Sequence, residues 1–230
     1  MRKGSRLIME KGKIIVVEGS SDGIGKTTQY NLLKEHLQRD GEVIINHHFP
    51  SYNTKQGSLV ELYLSGELGT PQQVSPYLIN SLYAVDRAIT WNTKLRKEFE
   101  LGHIILLDRY TTSSILYQAS VIDDIEERKR FIDFICDFEY NKLGIGEPDK
   151  IIFLHAPFEL IEEMRNKRKE NEGISNDIHE RDREYLKRVY DNAMFVADYL
   201  NWDSIDCSSN NKMLPIEEIH EKVYQKAKNI

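Results

Sequence analysis

The sequence contains few cysteines, no excess of basic residues and no long hydrophobic run. Its two cysteines, Cys136 and Cys207, lie far apart and form no CxxC pattern, so neither a disulfide framework nor a zinc site is expected, and a reducing, cytoplasmic location fits. The net charge is −6, with Lys and Arg scattered among acidic residues, which argues against nucleic acid as a partner. The longest apolar runs, IIVV and IILL, have the length of strands, so we expect no signal peptide and no membrane span.

The chain also lacks internal repeats, low-complexity tracts and any linker that would divide it. Its 230 residues fall in the range of one large domain, and 40% apolar residues are enough for a packed core. We therefore expect residues 1–230 to form a single domain that acts on small molecules.

Short apolar runs alternate with helical segments along the chain. Helical spacing is found in KTTQYNLLKEHLQRDG and from about Pro76 to Glu100. The predicted strands are KIIVVE (13–18), EVIINHHF (42–49), HIILLDR (103–109) and DKIIFLH (149–155). This alternation predicts an α/β fold with a parallel sheet, in which ligands bind at the carboxyl ends of the strands.

A glycine-rich loop follows the first predicted strand and precedes a predicted helix. Gly23 and Gly25 let the backbone curl its N–H groups around a phosphate, Lys26 suits the outer phosphates, and Thr27 offers a hydroxyl for Mg²⁺. A glycine-rich turn is the alternative, but the flanking strand and helix favour a phosphate-binding loop. The expected ATP-binding residues are Gly23, Ile24, Gly25, Lys26, Thr27 and Thr28.

The loop is one residue longer than the usual pattern of Gly, four residues and Gly-Lys-Ser/Thr. Counting back from Gly25 reaches Ser20, whereas the nearest glycine is Gly19. The half of the motif that contacts phosphate is intact, so we predict that the surplus residue lies on the strand side of the loop.

A phosphate-binding loop does not by itself distinguish kinases from GTPases and motor ATPases. The chain has NKLG at 141 instead of the NKxD of a GTPase, and a single Asp108 instead of a run of acids after the strand. Arg109, which follows Asp108, offers a bidentate fork for a phosphate. The sequence therefore favours a small kinase with a phosphorylated acceptor.

Seven segments together resemble the thymidylate (dTMP) kinase family. EGSSDGIGKTTQ, FPSY, YLSGELG, LYAVDR, DRYTTSSILYQ, PDKIIFLHAP and DIHERDREYLKRVY occur in the order and spacing of that family, from about Lys13 to Ile219. The resemblance implies phosphorylation of dTMP to dTDP with MgATP. It also implies a single-domain P-loop kinase fold with a five-stranded parallel sheet, flanking helices and a mobile lid, usually assembled as a homodimer.

The resemblance assigns roles to residues that match the family motifs. Lys26 and Thr27 would hold the ATP phosphates and Mg²⁺, Asp22 would lie near the acceptor 3′-hydroxyl and the metal, and Arg109 would bind the acceptor phosphate. Tyr83 would stack on thymine, and Arg87 would read its exocyclic oxygen. The whole expected acceptor set is Phe49, Pro50, Tyr52, Tyr83, Arg87, Arg109, Ser114, Tyr117 and Gln118. Tyr83 as plain core and Arg87 as part of a surface ion pair are the alternatives.

The highly charged segment at about 164–180 is interpreted as the lid, with a solvated helix face as the alternative. In the family a stabilising arginine comes from the phosphate loop or from the lid. This phosphate loop has no basic residue before Lys26, so the lid must supply it. Arg165 and Arg168 are the first candidates and Arg181 the third. Glu180 matches a family carboxylate after the lid and is a further candidate Mg²⁺ ligand.

One departure from the family concerns the acceptor phosphate. Some relatives carry an arginine directly after Phe-Pro, where this chain has Ser51, and Lys55 could take its place. Two rival functions remain open: another (deoxy)nucleotide or deoxynucleoside kinase, and a degenerate nucleotide-binding regulatory protein. Arg109 argues against a nucleoside acceptor, and intact Lys26, Thr27 and Arg109 argue against a degenerate protein.

Overall fold

The computed structural model describes residues 11–172 and 183–229. Its main sheet has five strands in the order β2-β3-β1-β4-β5, and every neighbouring pair is parallel. This confirms the predicted five-stranded parallel sheet. The strands are β1 (Ile14–Gly19), β2 (Ile44–His48), β3 (Ile104–Asp108), β4 (Lys150–His155) and β5 (Asp203–Asp206).

Helices connect the strands, and a short antiparallel hairpin follows β5. The helices are α1 (Lys26–Arg39), α2 (Ser58–Leu64), α3 (Pro76–Thr90), α4 (Arg96–Glu100), α5 (Thr111–Ala119), α6 (Ile125–Cys136), α7 (Phe158–Glu172), α8 (Arg183–Tyr199) and α9 (Ile216–Lys228). The hairpin consists of β6 (Ser208–Ser209) and β7 (Lys212–Met213). Two π-helical turns, Trp91–Leu95 and Asp137–Lys142, follow α3 and α6 directly.

The central strand β1 is buried on both faces because its side chains alternate between two hydrophobic clusters. Ile15 and Val17 pack in a cluster with residues of α1 and α9. Ile14 and Val16 pack in another cluster, on the side of Trp91. Helical cover on both faces explains why KIIVVE reads as a continuous apolar run and not as an alternating one.

Two features of the fold add detail that the sequence pattern does not carry. The helical stretch from Pro76 to Glu100 is not one regular helix, because the π-helical turn Trp91–Leu95 separates α3 from α4. Strand β5 was implied only by the family resemblance, since its sequence DSID is short and polar and carries no strand pattern.

The parallel topology places the carboxyl ends of β1, β2 and β3 side by side. In the sheet registers, Val17 pairs with Asp108, and Asp108 pairs with His48. The loops that follow these three strands therefore meet at one edge, as expected for a ligand site in this class of sheet. Within the described ranges, no helix has the length and apolarity needed to cross a membrane.

Candidate active site

The glycine-rich loop connects β1 to α1. Ser20 N donates to Leu154 O at 2.9 Å, so the hydrogen-bond ladder with β4 extends one residue beyond Gly19. Gly23 and Gly25 have φ of 100° and 91°, a region in which a side chain is strained. Helix α1 begins directly after Gly25. The ladder therefore takes up Ser20, which agrees with a surplus residue on the strand side.

The side chain of Ile24 does not face the expected ATP site. Its side chain is 2% exposed and packs in the hydrophobic cluster with Ile15 and Val17. A β-carbon added at Gly19 would meet Ile24 Cγ2 at 2.6 Å, so this packing also requires glycine at 19. Only the backbone of Ile24 is left to contact a phosphate. Thr27 and Thr28, in contrast, are exposed in the first turn of α1.

Lys26 pairs with the carboxylate at the end of β3. Its Nζ lies within ion-pair distance of Asp108 Oδ1, and His48 Nδ1 donates to Asp108 Oδ2 at 3.0 Å. Burial alone would raise the pKa of Asp108, but the hydrogen bond from His48 and the charge of Lys26 hold that pKa below its ordinary value. Asp108 was read from the sequence only as a single acid after a strand, and the structure adds it to the site.

Arg109, Asp22 and Tyr117 form a second cluster beside the loop. Arg109 Nη2 pairs with Asp22 Oδ1, and Tyr117 Oη donates to Asp22 Oδ2 at 2.9 Å. The Arg109 guanidinium also lies 5.6 Å from the centre of the Tyr117 ring. Burial would raise the pKa of Asp22, but the charges of Arg109 and Lys26 outweigh it and lower that pKa.

Arg109 has a left-handed backbone conformation, with φ of 63°. This conformation is uncommon for residues other than glycine, and such strained residues cluster at functional sites. It lies between the end of β3 and the start of α5. The sharp turn there makes Arg109 available to Asp22.

A cavity adjoins these residues. All nine expected acceptor residues line it, together with Asp22. Three further lining residues, Leu64, Tyr110 and Ser113, were not singled out in the sequence, although Tyr110 and Ser113 lie within the segment DRYTTSSILYQ. The lining residues are Asp22, Phe49, Pro50, Tyr52, Leu64, Tyr83, Arg87, Arg109, Tyr110, Ser113, Ser114, Tyr117 and Gln118.

Arg87 belongs to this cavity and is buried, so its alternative reading as part of a surface ion pair is wrong. Its guanidinium forms a two-pronged ion pair with Glu139 and donates to Ser114 Oγ at 2.8 Å. The centre of the Tyr83 ring lies 6.0 Å from that guanidinium. Glu139 was not predicted, because it lies in the π-helical turn Asp137–Lys142, 52 residues from Arg87.

The position after Phe-Pro contributes nothing to the cavity lining. Ser51 is buried, its N–H donates to Asp86 Oδ2 at 2.7 Å, and its Oγ lies 3.2 Å from Thr90 Oγ1. Lys55, the possible substitute for an arginine there, is exposed and does not line the cavity. The contacts of Ser51 with Asp86 and Thr90 instead hold this loop against α3.

Arg165 of α7 lies against the phosphate loop. A β-carbon added at Gly23 would lie 3.1 Å from Arg165 Cβ. The Arg165 residue is 7% exposed, and its Nε and Nη1 have no hydrogen-bond partner among the described residues. Arg168 lies within α7, one turn further on, whereas Glu180 and Arg181 lie outside the described residues. Unpaired guanidinium nitrogens beside a phosphate loop are suited to bind an anion.

The part of the chain that the structure describes contains no group of three or more His, Cys, Asp or Glu side chains that could hold a metal ion. Two carboxylates at the loop, Asp22 and Asp108, are each paired with a cation. The protein side chains alone therefore do not form a metal cage there. A hard cation such as Mg²⁺, which takes a few protein oxygens and completes its shell with phosphates and water, is compatible with this arrangement.

Comparisons with known proteins agree with this site. A model of the thymidylate kinase family matches residues 17–223. The chain is 35% identical over 182 residues to a thymidylate kinase of Thermoanaerobacter sp., covering 78% of this chain and 84% of that one. It is 30% identical over 227 residues to a thymidylate kinase of Prochlorococcus marinus, covering 95% and 99% of the two chains. Thymidylate kinase from Candida albicans has the same fold, with a TM-score of 0.69, 22% identity and coverage of 94% and 90%. The chain therefore belongs to the thymidylate kinase family, whose members are ATP-dependent nucleoside monophosphate kinases.

Proposed function

We propose that this protein transfers the γ-phosphoryl group of ATP to dTMP, giving dTDP and ADP, through the residues that meet at the edge of the sheet. One observation carries the proposal. A single cavity is lined at once by the Tyr83 and Arg87 pair, which suits a planar base, and by Arg109 and Asp22, which suit a phosphate and a sugar hydroxyl. The phosphate loop for the donor adjoins it through Asp22.

The donor binds at the glycine-rich loop and the first turn of α1. The helix N-terminus and the loop amides favour the negative charge of phosphates. Lys26 then exchanges its contact with Asp108 for the outer phosphates of ATP. Arg165, whose Cβ lies against Gly23, would supply positive charge to the transferring phosphoryl group.

The acceptor occupies the cavity with its base between Tyr83 and Arg87. Stacking on an aromatic ring favours any base, whereas an arginine N–H selects a base edge that carries an oxygen. Arg109 binds the acceptor phosphate, and Asp22 lies near the 3′-hydroxyl with Tyr117 beside it. The Arg109 and Asp22 side chains are only partly exposed, and a bound acceptor would exclude the remaining water, which strengthens each of these charge interactions.

Mg²⁺ is part of the proposal. The hydroxyl of Thr27 and the carboxylates of Asp22 and Asp108 are hard oxygen donors of the kind that Mg²⁺ takes beside nucleotide phosphates. When bound, the ion neutralises charge on the β- and γ-phosphates. A role for Glu180 as a further ligand stays a prediction, as does transition-state stabilisation by Arg168 or Arg181.

We further propose a homodimer that works in the cytoplasm without a nucleic-acid partner. Helix α3 exposes Leu78, Val85 and Ile89 to solvent. Their i, i+7 and i+11 spacing forms one apolar stripe, and a second copy of the chain would cover it. Light scattering after gel filtration should give a dimer for the wild type and a monomer for Val85→Glu. A wild-type monomer would contradict this assembly.

An ADP-release assay with MgATP tests the function. Release should depend on added dTMP and should disappear in Lys26→Ala, because the phosphates lose their cation. The contrary outcome is a wild-type protein that is folded by circular dichroism and binds ATP, yet releases no ADP with dTMP. That result would contradict the kinase function and favour a nucleotide-binding regulatory protein.

A further inference from the structure

Glu139 does not line the acceptor cavity, but it forms a two-bond ion pair with Arg87, which does. Arg87 Nε donates to Glu139 Oε2 at 2.6 Å, and Arg87 Nη2 donates to Glu139 Oε1 at 2.7 Å. The Glu139 residue is 0% exposed and Arg87 is 1% exposed. Thr111 Oγ1 donates to Glu139 Oε2 at 3.1 Å, which fixes the carboxylate in turn. A parallel two-bond contact of this kind leaves a guanidinium little freedom to rotate.

The contacts of Arg87 differ among its three nitrogens. Nε and Nη2 are committed to Glu139, and Nη2 also contacts Ser114 Oγ. Nη1 makes one long contact, 3.4 Å to Tyr110 O. Because Arg87 lines the cavity, Nη1 is the nitrogen with N–H capacity left for a ligand.

This arrangement has a chemical consequence for the base. A guanidinium N–H can only donate, so it matches the exocyclic oxygen of thymine or uracil and opposes the exocyclic amino group of cytosine. A site built around a buried donor rejects the ligand that leaves this donor unpaired. If Arg87 could turn, another face of the guanidinium would meet the base and the discrimination would weaken.

We propose that Glu139 is a positioning residue that holds Arg87 in the orientation in which its Nη1 selects an oxo pyrimidine over an amino pyrimidine. The inference rests on the proposed function, since it concerns the base end of the dTMP cavity. Glu139 itself does not line that cavity. Its location in a π-helical turn fits this role, since such turns occur frequently at functional sites.

The test compares wild type with Glu139→Gln, which keeps the shape but replaces one acceptor oxygen by a donor that faces the guanidinium. We expect the KM for dTMP to rise about tenfold to a hundredfold, as for loss of a hydrogen bond to a charged group. The ratio of kcat/KM for dTMP to that for dCMP should fall about tenfold, and the KM for ATP should stay within about twofold. Asp203→Asn, which loses ion pairs with Lys150 and Lys226 away from the cavity, is the matched control and should leave the ratio unchanged.

A second variant covers the case in which Glu139→Gln does not fold, as judged by circular dichroism and thermal melting. Thr111→Val removes the hydrogen bond to Glu139 Oε2, together with a side-chain hydrogen bond to Tyr140. It should shift the dTMP to dCMP ratio in the same direction, by about threefold. An equal fall of kcat/KM for both acceptors in a folded variant, or an unchanged ratio in Thr111→Val, would overturn the positioning role. A wild type that does not phosphorylate dTMP would overturn the proposed function as well, so the two failures are distinguishable.

Discussion

Arg165 of α7 packs directly against Gly23 of the phosphate loop. A β-carbon on Gly23 would approach Arg165 Cβ to 3.1 Å. Two nitrogens of the same buried guanidinium have no partner within the described ranges. A buried, unsatisfied cation is costly to keep. Its retention beside a phosphate loop is explained if it meets the phosphates of the bound nucleotide.

Replacing Arg165 with alanine should lower kcat by about a hundredfold, which is the scale seen when one stabilising donor is removed from a transition state. The KM values for ATP and dTMP should change much less, because such a cation acts mainly in the transition state. Lys167→Ala is the matched control, since Lys167 is exposed on the same helix and pairs only with Glu163 in the described contacts. Wild-type kcat in Arg165→Ala would assign this charge to another residue, with Arg168 and Arg181 the next to test.

A methyl group at Gly23 tests the same contact from the other side. Gly23→Ala adds backbone strain at φ of 100° and pushes against α7, whereas Gly41→Ala adds comparable strain at φ of 94° with nothing within 4 Å. Each should cost about 1 kcal/mol or more of unfolding free energy. Only Gly23→Ala should also weaken ATP binding, measured by calorimetry. Equal ATP affinity in the two variants would show that the contact with α7 does not support the donor site.

Much of the acceptor site could be predicted because its residues lie in compact local motifs. Tyr83 and Arg87 are one turn apart on α3, and Arg109, Ser114, Tyr117 and Gln118 follow β3 within ten residues. The helical period places Tyr83 and Arg87 on one face, whereas Ser114, Tyr117 and Gln118 were implied only by the family resemblance.

Residues that act through tertiary contacts could not be predicted in the same way. Glu139 lies in an aromatic-rich helical segment whose sequence gives no sign of a buried carboxylate, and the π-helical turn that contains it has no sequence signature. The sequence shows Asp108 only as a single acid after a strand, because its pairing with His48 depends on the register between β2 and β3. Ile24 looked like a loop residue, but hydrophobic burial sends its side chain into the core.

Removing Arg109, which we propose binds the acceptor phosphate, should impair the use of dTMP without weakening ATP binding. In Arg109→Ala the dTMP phosphate would lose a charge-assisted contact, which costs on the order of 2–5 kcal/mol where the bound acceptor excludes water from the pair. We expect a severe fall in kcat/KM for dTMP with near-normal ATP affinity. Arg188→Ala is the control, since it removes an ion pair with Asp123 and hydrogen bonds to Ser120 O, and neither Asp123 nor Ser120 lines the cavity. Unchanged kcat and KM for dTMP in Arg109→Ala would show that Arg109 has a structural role and does not bind the acceptor.

Stability should depend on pH through His47, which contacts Ser51 Oγ at 3.0 Å. Burial, with a contribution from the charge of Lys94, lowers the pKa of His47 from 6.5 to about 4. The unfolded chain therefore takes up the proton first as the pH falls. The stabilisation is complete above pH 6.5 and is lost as the pH approaches 4. Urea unfolding of wild type and His47→Gln at pH 7 and pH 4.5 should show a larger fall in unfolding free energy for wild type. Equal falls would mean that His47 titrates normally in the folded protein.

The identity of the acceptor that receives the phosphoryl group tests the proposed function most directly. An equimolar mixture of dTMP, dUMP, dCMP, UMP, AMP and thymidine, incubated with MgATP labelled in the γ-phosphate, can be separated by chromatography. The Tyr83 and Arg87 pair and the Arg109 fork predict that labelled dTDP forms fastest and dUDP second. Faster labelling of dCMP, AMP or free thymidine would contradict both the base-reading role of Arg87 and the phosphate-binding role of Arg109.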